Sequence, residues 1–273
     1  MQNKWLLWLW FLCVGCGTTA LLPTPTTAIP AVTPTLLPLP TATPIIPDSG
    51  WQLLRPGLEQ RLIHLLDPNG QVWERLYLVR IDPAGYQFGV GYRPGEPQSL
   101  ADWQAQTGAL LVVNGGYFTP EYLATGLIVA DGQASGVSYT DFGGMLAVTP
   151  AGPTLRWLPE QPYDPNEPLL AAIQSFPILV RPGGQLGFPD EDNQPSRRTV
   201  VAQDVSGRVL FLLTLNGQFT LHSLSQYLTE SDLQLDTALN LDGGTSSGLI
   251  LADPPQQFPA LAFLPAVITI HPR

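Results

Sequence analysis

The sequence predicts an α+β domain, a mixed and largely antiparallel sheet with a few helices, set behind a proline- and threonine-rich stalk. Three observations carry that expectation. Short apolar runs bounded by glycine, proline, asparagine or aspartate recur along the body and read as strands. Segments with helical spacing are few, the clearest lying after Ser99 and after Thr220. Beyond Trp51 no further linker interrupts the 273-residue chain, so residues 51–273 form one domain.

Residues 1–21 combine a short polar start containing Lys4, an apolar run from Trp5 to Val14, and Gly15, Cys16 and Gly17. This is the layout of an export signal. It is similar to a bacterial lipoprotein signal with Cys16 as the lipidated residue, although Cys13 stands where leucine is usual. The uncharged stretch continues to Leu22, close to the roughly 17–25 residues of an uncleaved membrane anchor. Both readings place the body outside the cytoplasm, tethered to the membrane or secreted. No cysteine follows Cys16, which removes disulfides and thiolate chemistry from the body. Residues 22–50 alternate proline, threonine and small or aliphatic residues, a composition that favours extended polyproline II geometry over a packed core.

Within the body, residues 76–81 and 86–92 read as strands, the second with Tyr86, Phe88, Val90 and Tyr92 on one face. Ser99 caps a short helix ending near Gly108, and residues 109–113 form a buried strand. After a glycine-rich middle, strands are expected at 145–149, 178–180, 199–203 and 208–215. Leu221, Leu224 and Leu228 mark a further helix, and strands close the chain. The hydrophobic fraction of 44% suffices for a core. With 12 basic against 22 acidic residues the net charge is −10, so no general cationic surface exists for nucleic acid. Lys4 is the only lysine, which leaves arginines and backbone donors to meet any anion in the body.

Three loops at strand ends carry polar residues with no evident packing use. In V-V-N-G-G-Y-F, Asn114, Gly115 and Gly116 precede Tyr117 and Phe118; Asn-Gly is also a common hairpin turn. Arg197 and Arg198 open a strand, and a solvated pair is the ordinary explanation for two such arginines. In A-L-N-L-D-G-G-T-S-S-G-L-I-L, Asp242 is delivered to Gly243 and Gly244, a pattern shared by plain turns and by anion sites. The same loop holds a literal G-x-S-x-G around Ser246, with Asp253 and His271 downstream. A serine-hydrolase elbow, however, sits directly between strand and helix, and here Gly248–Leu251 reads as another strand. His64, His222 and His271 show no metal-ligand spacing.

Taken together the loops resemble the phosphodiester glycosidase family over most of the chain after about residue 102. Asn114 to Phe118 look like its asparagine-glycine-glycine-aromatic motif, and Gly126 and Asp131-Gly132 like the glycine and turn that follow. Gln174, Pro177 and Ile178 are similar to its central segment. Arg198-Thr199, the strand from Gly207 to Leu213, the helix over 220–228 and Asn240 to Gly244 complete the order. Thr245 departs from it, standing where many members have a third glycine. A branched residue disfavours positive φ, which bears on the shape of the sugar pocket.

The resemblance implies hydrolysis of a sugar 1-phosphodiester or a related cell-envelope or exopolysaccharide linkage. Asp242 is then the carboxylate at the anomeric centre, and Arg198 the clamp for the phosphate. Gly115, Gly116, Gly243 and Gly244 would form an anion nest. Asn114 would orient hydroxyls or phosphate, and Tyr117 would stack on a sugar. Gln174, Thr245 and Ser246 complete the substrate wall. Glu121 is the candidate second carboxylate, with Asp131 as the other choice. No cofactor is required, and a divalent cation on a carboxylate such as Asp242 stays open. The partners are a carbohydrate and, through the N-terminus, a membrane. The rival function is a noncatalytic glycan-binding module on the same scaffold, for which a carboxylate facing an anionic ligand has no obvious use.

Overall fold

A computed structural model describes residues 46–273, so the expected export signal, Cys16 and most of the proline-rich segment lie outside the described residues. In chain order, β1 (Gln52–Arg55), β2 (Leu58–Leu66), β3 (Val72–Ile81) and β4 (Tyr86–Tyr92) precede α1 (Leu100–Thr107). Then come β5 (Leu111–Asn114), β6 (Ile128–Ala130), β7 (Gln133–Ser135), β8 (Gly144–Thr149), β9 (Gly152–Trp157) and β10 (Ala171–Ser175). They are followed by β11 (Ile178–Arg181), β12 (Gln185–Leu186), β13 (Thr199–Asp204) and β14 (Val209–Thr214). The chain ends with α2 (Leu221–Glu230), β15 (Leu235–Asn240), β16 (Leu249–Leu251), β17 (Gln256–Phe258) and β18 (Ala266–Pro272).

These strands make three sheets: β1-β2-β3-β14-β13-β15-β11-β12, β7-β6-β10-β8-β9 and β17-β16-β5-β18-β4. The expected single mixed sheet is corrected here, since every pairing among the described strands is antiparallel. Parallel neighbours need crossover connections, usually helical. With only two helices among the described residues, hairpins and longer returns do the joining.

Both helices follow their sequence signals. The Ser99 side chain accepts from Asp102 N, and Gly108 ends α1 in the left-handed conformation at φ 64°. At α2, Thr220 and Ser223 close a reciprocal capping box. Alternation sets the faces of the large sheet. Tyr77, Val79 and Ile81 of β3 with Phe211 and Leu213 of β14 point into a central core shared by all three sheets. Their neighbours Leu76, Leu78, Leu210 and Leu212 pack under Leu224 and Leu228 of α2. Helix α1 covers the third sheet through Leu100 and Trp103 against Val112, Ile250 and Val267.

The folded body includes residues before Trp51. Asp48 bridges to Ile63 and accepts from Arg61 Nε at 2.9 Å, and Arg61 also reaches Asp232 at 3.0 Å. A buried acid, Glu74, shapes the approach to α2. Glu74 accepts from the backbone N–H groups of Arg75, Leu215, Asn216 and Gln218, fixing the turn whose Gly217 packs against Arg197.

Candidate active site

Each sheet sends one or two strand ends to the same place: β5 ends at Asn114, β10 at Ser175, β15 at Asn240, and β13 begins just after Arg198. Asn114 is the hub. It is fully buried, and its Nδ2 donates to Asp242 O at 2.8 Å and Gly115 O at 3.2 Å. Its Oδ1 accepts from Thr199 Oγ1 at 2.8 Å and Gly248 N at 3.0 Å. Both donors and both acceptor positions are therefore used within the protein. The expected direct contact of Asn114 with a sugar or phosphate is corrected to a positioning role. Asn114→Ala leaves several buried groups unpaired at once and should cost about 2–4 kcal/mol, read as a lower urea midpoint at unchanged m.

Asp242 follows β15 and sits half-buried in a backbone frame. Its N–H donates to Gly115 O at 3.1 Å, and its Oδ1 accepts from Gly243 N at 2.8 Å. Desolvation pushes its carboxyl above the ordinary value, and the Ser246 hydroxyl and Gly243 N–H offset this only in part. Gly244 has φ +61° and donates to Arg197 O at 2.8 Å, tying the aspartate loop to the arginine loop. Residues 244–246 then make one 3-10 turn. Thr245 has no positive φ, so its branched side chain brings no strain; it is exposed, and its carbonyl accepts from Leu261 and Ala262.

The arginine pair is not solvated. Arg198 is 8% exposed and Arg197 is partly buried, and desolvation lowers the pKa of both guanidinium groups. Arg197 donates to Ser247 O at 3.0 Å from beneath the loop. Arg198 Nη2 donates to Gln194 O at 2.5 Å and reaches Asp192 only at 3.5 Å. Its Nη1 lies against Gly243, and its Nε is buried without a partner. A cation this dry, with one long carboxylate contact, is under-compensated.

Tyr117 lies near both the acid and the arginine. Burial carries its pKa up to about 12, with the Asp242 carboxylate adding to the rise and Arg198 opposing it. Its hydroxyl accepts from Asn240 Nδ2 at 2.8 Å, which leaves its own proton for an acceptor. Its ring stacks on Phe176 at 4.5 Å. The expected sugar-stacking face is thus already shared with an aromatic neighbour. Among the described residues six buried polar atoms lack a partner, and five lie on these strand ends and loops: Ser175 Oγ, Arg197 Nε, Arg198 Nε, Asn240 Oδ1 and Ser247 Oγ. Native interiors leave few such atoms, and these five gather around the Asp242 and Arg198 loops.

Several expected roles change. The anion nest does not form as read: Gly115 N–H donates to Ala266 O, Gly243 N–H to Asp242 and Gly244 N–H to Arg197 O. A Cβ on Gly115 or Gly116 would stand 2.8 Å from Ala266 O or 2.5 Å from Gln174 O, so close packing of backbones, and not approach to a ligand, requires these glycines. Gln174 is buried and engaged with Leu127 N, Tyr139 N and Ser138 Oγ, so it shapes the wall from behind.

Neither candidate second carboxylate joins the site. Glu121 is exposed, and hydrogen bonds with Thr119 and its own backbone N–H hold its carboxyl below the usual range, the opposite of what an acid catalyst needs. Asp131 occupies an exposed hairpin turn with φ +49°, five residues from Gly126, or about 16 Å along an extended strand. The serine-hydrolase reading also fails. Ser246 bonds to Asp242, Asp253 pairs with Arg55, and His271 lies five residues along β18 from Ala266. The residues missed by sequence are Asp192, Ser175, Phe176 and Asn240. The acidic run at 190–192 just before two arginines was the available signal for the first. No group of three or more histidine, aspartate or glutamate side chains gathers for a metal among the described residues.

A family model described as phosphodiester glycosidase matches residues 107–263, which include every strand end of this site. The chain belongs to the phosphodiester glycosidase family. Solved structures share the fold of this phosphodiester glycosidase domain. The zebrafish N-acetylglucosamine-1-phosphodiester alpha-N-acetylglucosaminidase catalytic domain, auto-inhibited by its pro-peptide, aligns at TM-score 0.64 and 21% identity, over 80% of this chain and 85% of that one. A hypothetical protein from Synechocystis aligns at 0.57 and 14%, over 80% and 62%. A putative exported protein from Burkholderia pseudomallei aligns at 0.56 and 12%, over 73% and 74%. No curated protein matched the sequence.

Proposed function

We propose that the chain is an exported hydrolase of a sugar 1-phosphodiester or a related cell-envelope or exopolysaccharide linkage. One observation carries the reading: the Asp242 loop is tied to the arginine loop by Gly244 N–H donating to Arg197 O, which sets a partly buried carboxylate beside the buried, under-compensated Arg198 whose Nη1 lies against Gly243. A sugar phosphodiester has the matching halves, an anomeric carbon that becomes positive and a phosphate that keeps its charge.

In this reading Asp242 faces the anomeric carbon and supports its oxocarbenium-like charge. The bond between that carbon and the phosphate oxygen breaks, its electron pair leaves with the phosphate, and Arg198 takes up the added charge. Water forms the new C–O bond, and the proton it loses passes to the departed phosphate. Tyr117, held protonated, donates to the sugar or the departing oxygen. Phosphate leaves readily, which fits a site where Glu121 supplies no general acid. Asn114 holds the Asp242 and Thr199 segments in register.

The purified full chain, assayed against aryl and sugar 1-phosphodiesters, should release free sugar. Persistent glycan binding without release across a broad panel would replace the enzyme with a noncatalytic module. Placement outside the cytoplasm rests on the leader: radiolabelled palmitate should enter the protein in a bacterial host and be lost in Cys16→Ala. Equal labelling of both would remove Cys16 as the lipid site.

A further inference from the structure

Asp192 is the carboxylate paired with Arg198, and it is held in place from behind. Its Oδ1 accepts from Leu221 N at 3.2 Å, at the start of α2, while its Oδ2 stands 3.5 Å from Arg198 Nη2. One oxygen is tethered and the other faces the cation. The loop around it is pinned on both sides, since Phe188 N donates to Ser225 Oγ at 3.1 Å and Gln194 O accepts from Arg198 Nη2 at 2.5 Å. Both side chains of the pair are largely buried, so salt screens them little.

The contact is too long to be a closed ion pair, for which charge-assisted N–H···O bonds run to roughly 2.7–2.9 Å. Asp192 therefore cancels part of the field of Arg198 without occupying it. Other charges nearby do not restore the balance. Glu74 fixes the turn whose Gly217 packs against Arg197, and Asp242 sits in the loop tied to Arg197 O. Two guanidinium groups thus meet three carboxylates, which leaves no spare positive charge for a doubly negative ligand.

That balance separates two kinds of phosphate. A phosphodiester carries one negative charge, whereas a phosphomonoester carries two once pH passes its second pKa of roughly 6. Cleavage at the anomeric carbon turns the first into the second: the phosphate keeps the oxygen and the electron pair, and above that pH the proton received from water is lost to solvent.

We propose that Asp192 is a specificity-determining residue, a fixed negative charge through which Arg198 favours a monoanionic phosphodiester over dianionic phosphomonoesters, including the alcohol phosphate left after cleavage. This rests on the proposed hydrolase reading. Attraction by Arg198 alone would favour the dianion, so selection for the diester needs a repulsive element beside it.

Two probes without an anomeric carbon separate this role from catalysis: methyl phenyl phosphate, a monoanion, and phenyl phosphate, a dianion at pH 8. Titration calorimetry on the full chain should show the wild type binding the monoanion more tightly. Asp192→Asn should shift the ratio of the two affinities about tenfold toward the dianion. Asparagine keeps an oxygen for Leu221 N, and Asp192→Ser, which also removes the charge, should move the ratio the same way. Asp190→Asn removes an equal charge from an exposed position on the same loop and should leave the ratio as it was. A wild type that prefers the dianion, an unmoved ratio in both Asp192 variants, an equal shift in Asp190→Asn, or no binding of either probe to any of these proteins would overturn the assignment. Release of sugar from aryl 1-phosphodiesters is measured separately. Cleavage with an unmoved ratio leaves the hydrolase standing without this role for Asp192, and a moved ratio without cleavage removes the hydrolase while the charge selection remains.

Discussion

Asp242→Asn is expected to lower kcat/KM for a sugar 1-phosphodiester by about 10³-fold, the scale of losing a charged group that acts mainly in the transition state. The same substitution should raise the melting temperature. Burial lifts the Asp242 pKa in the folded chain above its ordinary 3.8. Below that ordinary value both folded and unfolded chains hold the proton, and the carboxyl adds no penalty. As pH rises through the folded value, the folded chain must ionise a group in a dry place, and stability is lost. Asparagine removes that loss and still offers an oxygen to Gly243 N–H. The gap in melting temperature should therefore be present at neutral pH and close in acid. In the wild type, the acid limb of the rate profile should lie at higher pH than an ordinary aspartate would give. Calorimetry and kcat/KM measured across pH check both; an asparagine variant with wild-type turnover would leave Asp242 without a catalytic role.

The second large effect belongs to Arg198. Arg198→Met should reduce kcat/KM by about 10²-fold or more, since hydrogen bonds to charged groups contribute roughly 1.5–3 kcal/mol each. Inhibition by a sugar 1-phosphate should weaken in parallel, because that molecule presents the same anion. Arg198→Lys should recover only part of the activity, as a single ammonium cannot reproduce the spread of guanidinium donors around Gly243. The folded chain should melt close to the wild type, because Arg198 makes one long ion pair, to Asp192 at 3.5 Å, and is held at a desolvation cost. A methionine variant with normal inhibitor affinity would remove Arg198 from phosphate binding.

How much of this was legible in the sequence differs by the range of the interaction. Local signals held: the Ser99 cap, the helix end near Gly108 and the helix marked by Leu221, Leu224 and Leu228 stand where spacing and residue type put them. The three polar loops could be picked out because Asn114, Arg198 and Asp242 had no packing use on their own strands. Their convergence could not be read from spacing, since it depends on hydrogen bonds such as Thr199 to Asn114 that join different sheets. The division into three sheets was hidden in the glycine-rich middle, where β6 and β7 are three residues each and β6 takes β10, far along the chain, as its second partner. Glycines misled for a physical reason. A glycine that lets a ligand approach and one that lets a neighbouring carbonyl approach look alike in sequence, and Gly116 is of the second kind. Glu121 misled because proximity in the chain to Tyr117 does not bury a side chain: its carboxylate is exposed and engaged with Thr119.

The hub at Asn114 also has a consequence in time. Its Oδ1 accepts from Gly248 N, and the neighbouring Gly115 N–H needs Ala266 O on β18. A chain that lacks residue 266 can form the first hairpins, β2 with β3, yet has nothing to close the wall around Asp242. The candidate site is therefore among the last features that a growing chain can complete. A chain cut before β18 should lose the site even where its earlier hairpins persist.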